Sequence, residues 1–238
     1  MSIFYCINDC IRGIEEAMRD PRRSIFDHDY FGYLRHLHEE TGVRITQFIF
    51  WSNRDITGVE EEWTLASVTD QYEEELAGTP WLQFGIHAPD RHSTYNTMTL
   101  SEIRESRTEI GRALKTFSGK ALSPVSKPHY YVTGTADVVE IMSDEGINTI
   151  LMPEDDRKVA GALTKEETLQ VRKSGELKKD GTTYLRTDLC LDNPNLSIDE
   201  MKTIIDDVLD QGKPAWSTTT SGRCSDRTTS SGAKSIQC

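Results

Sequence analysis

Strand-like runs and helical segments alternate along most of the chain, and this alternation constrains the fold more than any other feature. Short apolar runs rich in β-branched and aromatic residues are followed by segments with apolar residues at helical spacing. The predicted strands are residues 2–8, 43–51, 81–87, 128–132, 147–152 and 183–191, and the predicted helices are residues 27–41, 67–76, 100–117, 135–145 and 197–211. Parallel βαβ units have this order. Because no GxGxxG turn is present, the pattern favours a barrel-like sheet over a dinucleotide-binding sheet.

Composition argues against several classes of partner. The 238 residues include 39 acidic and 27 basic side chains, for a formal net charge of −12 at pH 7. A nucleic-acid surface needs Lys and Arg to neutralise phosphates, and anionic lipid needs the same charges. No apolar run approaches the roughly 20 residues that span a bilayer, and the first residues do not resemble a signal peptide. We therefore expect an acidic cytoplasmic protein with no nucleic-acid or membrane partner; the sequence predicts no oligomeric state.

The last 22 residues differ in composition from the rest. Residues 217–238 contain eleven Ser or Thr and almost no large apolar side chain. Such a segment buries too little apolar surface to offset its chain entropy. We therefore expect a domain over residues 1–216 and a disordered tail over residues 217–238. Because the alternation stops where a seventh strand is due, the last strand is expected to be missing or replaced at a truncated, frameshifted or chimeric terminus.

Chemically versatile side chains follow the predicted strands. In parallel β/α proteins the carboxyl ends of the strands meet at one edge, where functional sites form. This rule collects Asn8, Asp9, Trp51, His87, His129, Tyr130, Glu154 to Asp156 and Asp188 to Asp192. The set is rich in His and Asp, which predicts a site at this edge.

Asp9, His87 and His92 are the predicted metal ligands. One carboxylate and two imidazoles can hold a divalent ion and leave positions open for water and substrate. His87 and His92 are five residues apart in the segment HAPDRH, so they would converge only through the curvature of a loop. The alternative is that Asp9 caps a turn and that the two histidines are ordinary polar side chains.

Several segments together resemble the polysaccharide deacetylase (NodB homology) family. They are IND, FDHDYFGYLRHLHEETGVRITQFIFW, WLQFGIHA, PHYY and YLRTDLCLD, which occur in this order within residues 3–212. More narrowly, they resemble a divergent bacterial branch in which a WLxFGxHA segment replaces the usual histidine motif. The resemblance implies an irregular (β/α) barrel of about seven parallel strands, a zinc-type divalent metal, and hydrolysis of N- or O-acetyl groups on a carbohydrate substrate.

The resemblance also implies roles for the candidate ligands. Of the family's paired aspartates, the metal ligand corresponds to Asp9 and the general base to Asn8. An amide can orient a water but cannot take its proton. The family's two metal histidines, which usually lie four residues apart, correspond to His87 and His92.

Further roles follow from the resemblance for the groups around the ligands. His129 and Tyr130 lie in the groove-forming motif, where they would contact a sugar or an oxyanion. Asp188 corresponds to an acidic group that orients catalytic partners, and Asp188 or Asp90 could replace the missing base. Trp51 ends its strand at the functional edge and could stack on a sugar ring.

Two departures from the family support an alternative function. The general base is replaced by Asn8, and the general-acid histidine of the final strand has no counterpart. Each such group contributes about 10²- to 10⁴-fold to the rate. The alternative is therefore a catalytically silent deacetylase-like protein that binds a glycan or a partner.

Overall fold

Strands and helices alternate along the chain, as an α/β protein requires. The computed structural model describes residues 3–54, 61–153, 161–191, 196–212 and 214–220. The strands are β1 (Ile3–Asn8), β2 (Arg44–Phe50), β3 (Leu82–Ala88), β4 (Val125–Ser126), β5 (Thr149–Met152), β6 (Glu176–Lys179), β7 (Thr182–Arg186), β8 (Leu189–Cys190) and β9 (Ala215–Thr220). The α-helices are α1 (Ile11–Arg19), α2 (Asp29–Thr41), α3 (Glu73–Ala77), α4 (Leu100–Ser118), α5 (Ala136–Asp144), α6 (Lys165–Ser174) and α7 (Ile198–Asp210). The predicted candidates Glu154 to Asp156 and Asp192, and residues 221–238, lie outside the described residues.

The strands form two sheets. The first has the order β3-β2-β1-β9-β8, and each neighbouring pair in it is parallel. The second has the order β4-β5-β7-β6; its pairs are parallel except β6 with β7, which form an antiparallel hairpin. The predicted α/β class with a largely parallel sheet is confirmed, whereas the described strands number nine rather than about seven and do not form one closed sheet.

The two sheets share an interior and approach each other at the β3–β4 edge. Buried Cys6, Phe48 and Leu151 pack together, with Val125, Leu185 and Trp216 against them, so strands of both sheets contribute to this core. At this edge the Ser123 N–H donates to the Phe84 carbonyl at 2.8 Å. The chain passes from the second sheet to the first between β7 and β8, where the Asp188 N–H donates to the Trp216 carbonyl at 2.9 Å.

Helices cover the outer faces of both sheets. The larger outer core places apolar residues of α1, α2 and the C-terminal half of α4 against the first sheet, and the smaller one places those of α5 and α6 against the second. Fully burying one Leu, Ile or Phe side chain stabilises the fold by roughly 1.5–3 kcal/mol, so these faces hold the helices in place. Over the described ranges, no helix combines the length and apolarity needed to cross a bilayer.

A buried ion pair joins α4 to the residue after α5. The side chain of Arg107 is fully buried, and its Nε donates to both carboxylate oxygens of Glu145 at 3.1 and 3.0 Å. Its Nη1 donates to the hydroxyl of Tyr95, which lies in the connection between β3 and α4. Because a buried guanidinium requires partners for its donors, these contacts fix the connection that follows β3.

Two predicted helical features need correction. The sequence between β1 and α2, where no element is predicted, contains α1, with Ile11, Ile14 and Ala17 buried at three-residue intervals. A Cβ atom at Gly13 would lie 2.3 Å from the ring of Tyr30, so this glycine permits close packing of α1 against α2. The helix predicted over residues 67–76 is instead a 3₁₀ turn followed by the short α3.

Two predicted strands also differ from the structure. Residues 128–132 form a 3₁₀ turn rather than a strand, because Pro128 has no N–H for a ladder and Tyr130 and Tyr131 have left-handed backbones with φ of 51° and 58°. The strand there is β4, just before the turn. The run predicted over residues 183–191 divides into β7 and β8, which belong to different sheets.

The predicted boundary between residues 216 and 217 falls inside a strand. β9 extends to Thr220 and pairs with β1 in register, with Cys6 opposite Thr218 and Asn8 opposite Thr220. Thr218 and Thr219 are buried, because β9 is an inner strand of the first sheet. Residues 217–220 therefore belong to the folded domain. The strand expected to be missing is present at least this far.

Candidate metal centre

Asp9 lies at the carboxyl end of β1, where the chain turns sharply. Its backbone is left-handed, with φ of 58°, a conformation that Asp tolerates better than most residues. One carboxylate oxygen of Asp9, one nitrogen of His87 and one nitrogen of His129 all lie within 4.8 Å of one another. The two histidines are buried and Asp9 is partly buried. The carboxyl end of β1, the end of β3 and the turn after β4 thus bring three potential metal ligands together.

The hydrogen bonding of His87 determines which of its nitrogens faces Asp9. Nδ1 lies 2.8 Å from the carbonyl oxygen of Lys127, which can only accept, so Nδ1 carries a hydrogen. Nε2 lies 3.4 Å from Oδ1 of Asp9. In the neutral ring Nε2 has a lone pair, and two acceptors would then face each other. Either a second proton on the ring or a shared cation is needed between them.

The observed separation suits a shared cation. Two ligand atoms that are each about 2.0–2.1 Å from a tetrahedral zinc ion lie about 3.4 Å apart. A hydrogen bond from His87 Nδ1 to a backbone carbonyl is also the usual outer contact of a metal-bound histidine, because it fixes the ring and its tautomer. His87 is therefore oriented as a metal ligand would be.

His129 is a buried imidazole whose nitrogens are unsatisfied. Neither ring nitrogen has a hydrogen-bond partner in the described part of the chain. The ring is 5.1 Å from that of Phe50, 4.8 Å from that of His87 and 4.0 Å from that of Tyr130, centre to centre. Burial, and then the nearby charge of His87, lowers the pKa of His129 to about 3. The ring is thus neutral at pH 7, the form that coordinates metals.

The groups around Asp9 favour its ionised form. Burial alone would raise the pKa of this carboxyl. The hydrogen bond and charge of His87, followed by the charges of His129 and Lys127, outweigh burial and hold the pKa below its usual value. Lys127 is itself buried, with its Nζ 4.6 Å from the centre of the Tyr131 ring. The cluster therefore offers one carboxylate oxygen and two imidazole nitrogens as ligand atoms.

His92, predicted as the third ligand, does not join this cluster. It is exposed, and its backbone N–H donates to Oδ1 of Asp90 at 2.8 Å. The same oxygen accepts from the backbone and hydroxyl of Ser93, so the loop turns around Asp90. His129, predicted to contact a sugar or an oxyanion, takes the third position. The sequence signal that could have identified His129 as a ligand is its position just after β4, the strand beside β3.

Asp188, predicted to orient catalytic groups, makes structural contacts. Its Oδ2 accepts from the backbone N–H of Trp216 at 2.9 Å, and its Oδ1 is 3.8 Å from Nη2 of Arg186. These contacts link the end of β7 to β9, where the two sheets meet. Asp90, the other candidate base, uses Oδ1 in the turn just described. Neither belongs to the ligand cluster in the residues that the structure describes.

The other predicted site residues, Asn8, Tyr130 and Trp51, differ in how far their side chains are exposed to solvent. Asn8 is buried, and its Nδ2 donates to the carbonyl of Thr219 at 3.0 Å. Tyr130 is 64% exposed and contacts the His129 ring edge-on. Trp51 is half-buried against the larger outer core, and its backbone N–H donates to the Ala88 carbonyl at 3.3 Å. Tyr130 is therefore the aromatic group of this set that presents a large surface to solvent.

Comparison of the chain with protein-family models, with curated proteins and with solved structures finds no match. The resemblance to polysaccharide deacetylases therefore stays a prediction. What the chain can do has to be argued from the ligand cluster and its surroundings.

Proposed function

We propose that this protein is a metal-dependent hydrolase of the polysaccharide deacetylase type, which removes acetyl groups from a carbohydrate. Asp9, His87 and His129 would hold a zinc-type divalent ion. The observation that carries the proposal is the 3.4 Å approach of His87 Nε2 to Asp9 Oδ1, with Nδ1 of His87 bonded to a backbone carbonyl, beside an imidazole whose two nitrogens lack hydrogen-bond partners in the described residues.

The type and number of ligands favour a catalytic ion over a structural one. Structural zinc sites are closed by four protein ligands, mostly thiolates and imidazoles, whereas catalytic sites have three and keep a position open. Among the residues that the structure describes, the cluster has three members and includes no cysteine. When bound, such an ion polarises an acyl carbonyl and lowers the pKa of water.

The fold supports the same proposal. We infer that the two sheets are the halves of an irregular (β/α) barrel, since they share an interior core, approach each other at the β3–β4 edge, and are connected by the chain between β7 and β8. The cluster lies at the carboxyl ends of β1 and β3 and after β4, which is the end where β/α barrels carry their sites. Exposed Tyr130, against His129, is placed to stack on a sugar ring.

The chemistry required is the addition of water to an acyl carbon. The water oxygen bonds to the carbonyl carbon, the C–N or C–O bond breaks, and the leaving nitrogen or oxygen takes a proton, which yields acetate and a free amine or hydroxyl. Asn8 cannot accept the proton of the water. Lys127 and His129 are both buried and would shield this side of the site from bulk solvent.

Acetate release from acetylated chito-oligosaccharides tests the proposal. The zinc-loaded wild type is expected to release acetate, and chelation, His87→Ala or His129→Ala should reduce the rate at least 100-fold, since each removes the ion or a ligand. His92→Ala is the matched control and should retain the wild-type rate. A folded protein that binds no zinc, or acetate release that survives chelation, would refute the proposal.

A specific observation keeps the silent binder as a second candidate. Asn8 stands where the resemblance places a base, and Asp188 and Asp90 already accept backbone hydrogen bonds. This candidate predicts zinc binding and glycan binding without acetate release. Calorimetric titration of the zinc-loaded protein with the same oligosaccharides, beside the acetate assay, separates the two functions.

A further inference from the structure

Asn8 carries a buried acceptor that the fold does not use. The residue is 3% exposed, at the carboxyl end of β1 and directly before Asp9. Its Oδ1 has no hydrogen-bond partner among the described residues. Buried acceptors are nearly always satisfied, so one left open beside a cluster of metal ligands indicates a partner that arrives with a ligand.

The orientation of the amide is determined by β9. Nδ2 donates to the carbonyl oxygen of Thr219 at 3.0 Å, and the reverse orientation would bring two acceptors together. Oδ1 is therefore directed away from β9. Since β1 and β9 are paired over six residues, the amide is held in this orientation by the sheet.

We propose that Oδ1 of Asn8 accepts a hydrogen bond from the amide N–H of the substrate, so that the site selects N-acyl over O-acyl groups. An acetamido group supplies an N–H beside the reacting carbonyl, whereas an acetate ester supplies only an ether oxygen there. The inference rests on the proposed function and names its substrate class. Asn8 is then a specificity-determining residue instead of a base.

The expected discrimination follows from the unpaired acceptor. Sites built to bond a substrate N–H or O–H reject analogues that lack it, because a buried group is then left without a partner. Esters are intrinsically more reactive than amides, so the informative quantity is the change in each substrate's kcat/KM between variants. Replacing Asn8 by an apolar residue of similar size should lower kcat/KM for the amide about 10- to 100-fold and change that for the ester less than about threefold.

The experiment compares Asn8→Leu and Asn8→Asp with the wild type, all zinc-loaded. The substrates are a matched pair of glycosides carrying an N-acetyl or an O-acetyl group at the same ring position. Asn8→Leu removes the acceptor, whereas Asn8→Asp keeps an acceptor but loses the N–H that donates to Thr219, so the deciding comparison is that of Asn8→Leu with the wild type. Zinc affinity and circular dichroism, measured for each variant, show that the fold and the metal site are intact. Equal losses on both substrates for Asn8→Leu would overturn the inference and indicate a role in orienting water or in the fold.

Ligand affinity separates this inference from the proposed function. If zinc binds but neither substrate is hydrolysed, the hydrolase is wrong, and the inference is then decided by dissociation constants for the same two glycosides. The wild type should bind the N-acetyl glycoside more tightly, and Asn8→Leu should remove at least three quarters of that preference. Equal affinities of the wild type for the two glycosides would overturn the inference as well. Should Asn8→Leu fail to fold, the dissociation constants of the wild type for the two glycosides still decide the inference.

Discussion

Replacing His129 by Phe should change stability in opposite directions in the absence and presence of zinc. The ring lies among Phe50, His87 and Tyr130, which a phenyl ring can also contact. Removing two buried nitrogens that lack hydrogen-bond partners in the described residues should raise the metal-free free energy of unfolding by about 1–3 kcal/mol. The same change removes a ligand, so zinc should no longer stabilise the variant.

The stabilisation of the wild type by zinc can be calculated from mass action. A ligand at 100 times its dissociation constant stabilises the folded state by about 2.7 kcal/mol. For a domain of this size each kcal/mol shifts Tm by roughly 2–4 °C, so zinc should raise Tm by about 5–11 °C. His129→Phe should show a shift below about 2 °C, and its metal-free Tm should exceed that of the metal-free wild type.

Differential scanning calorimetry with chelator and with zinc provides the measurement. His92→Phe is the matched control, since this exposed histidine lies outside the cluster and should leave the zinc shift intact. A full zinc shift in His129→Phe, or its loss in His92→Phe, would show that the cluster has been wrongly assigned. A lower metal-free Tm in His129→Phe would contradict the argument about unsatisfied nitrogens.

Three further changes test the surrounding structure. Glu145→Gln should cost about 3–5 kcal/mol in urea unfolding, because it leaves the buried Arg107 without its counter-charge; a loss under 1 kcal/mol would contradict this. Asp188→Asn should leave zinc affinity within about twofold in calorimetric titration, whereas a tenfold loss would place this carboxylate in the metal site. Cys6 and Cys10 should resist iodoacetamide at pH 8 until the protein unfolds, because burial raises the pKa of Cys6 to about 12 and that of Cys10 still further; peptide mapping by mass spectrometry would detect early labelling.

Strands and helices whose ends are set by residues close in the sequence could be predicted from the sequence. The strands ending near Asn8 and His87 are continuous apolar runs, and α2 and α4 end at Gly42 and Gly119 in left-handed conformations. α1 was missed because Gly13 lowers helix propensity, and the reason for that glycine is a ring on another helix. The role of Gly13 depends on the contact between α1 and α2, which the sequence around Gly13 does not reveal.

The ligand cluster was predictable only in part, for a similar reason. Strand ends pointed to Asp9 and His87, which the structure brings together. The third ligand could be His92 or His129, depending on which of the two loops lies close to the end of β1. The spacing from His87 along the chain favoured His92, whereas the structure brings His129 to the cluster. The threonines of β9 were read by composition as a solvated tail, although β-branched residues suit a strand that neighbours cover.

The pairing of β9 with β1 has a consequence for how the protein is made. The hydrogen bond from Asn8 to Thr219 spans 211 positions, so the first strand waits for nearly the entire described chain before its second neighbour arrives. Such long-range pairing slows folding, since loop closure precedes the contacts that reward it. On the ribosome, β1 can have only β2 beside it until residue 220 has emerged. The first sheet therefore reaches its full width only after β9 has been synthesised.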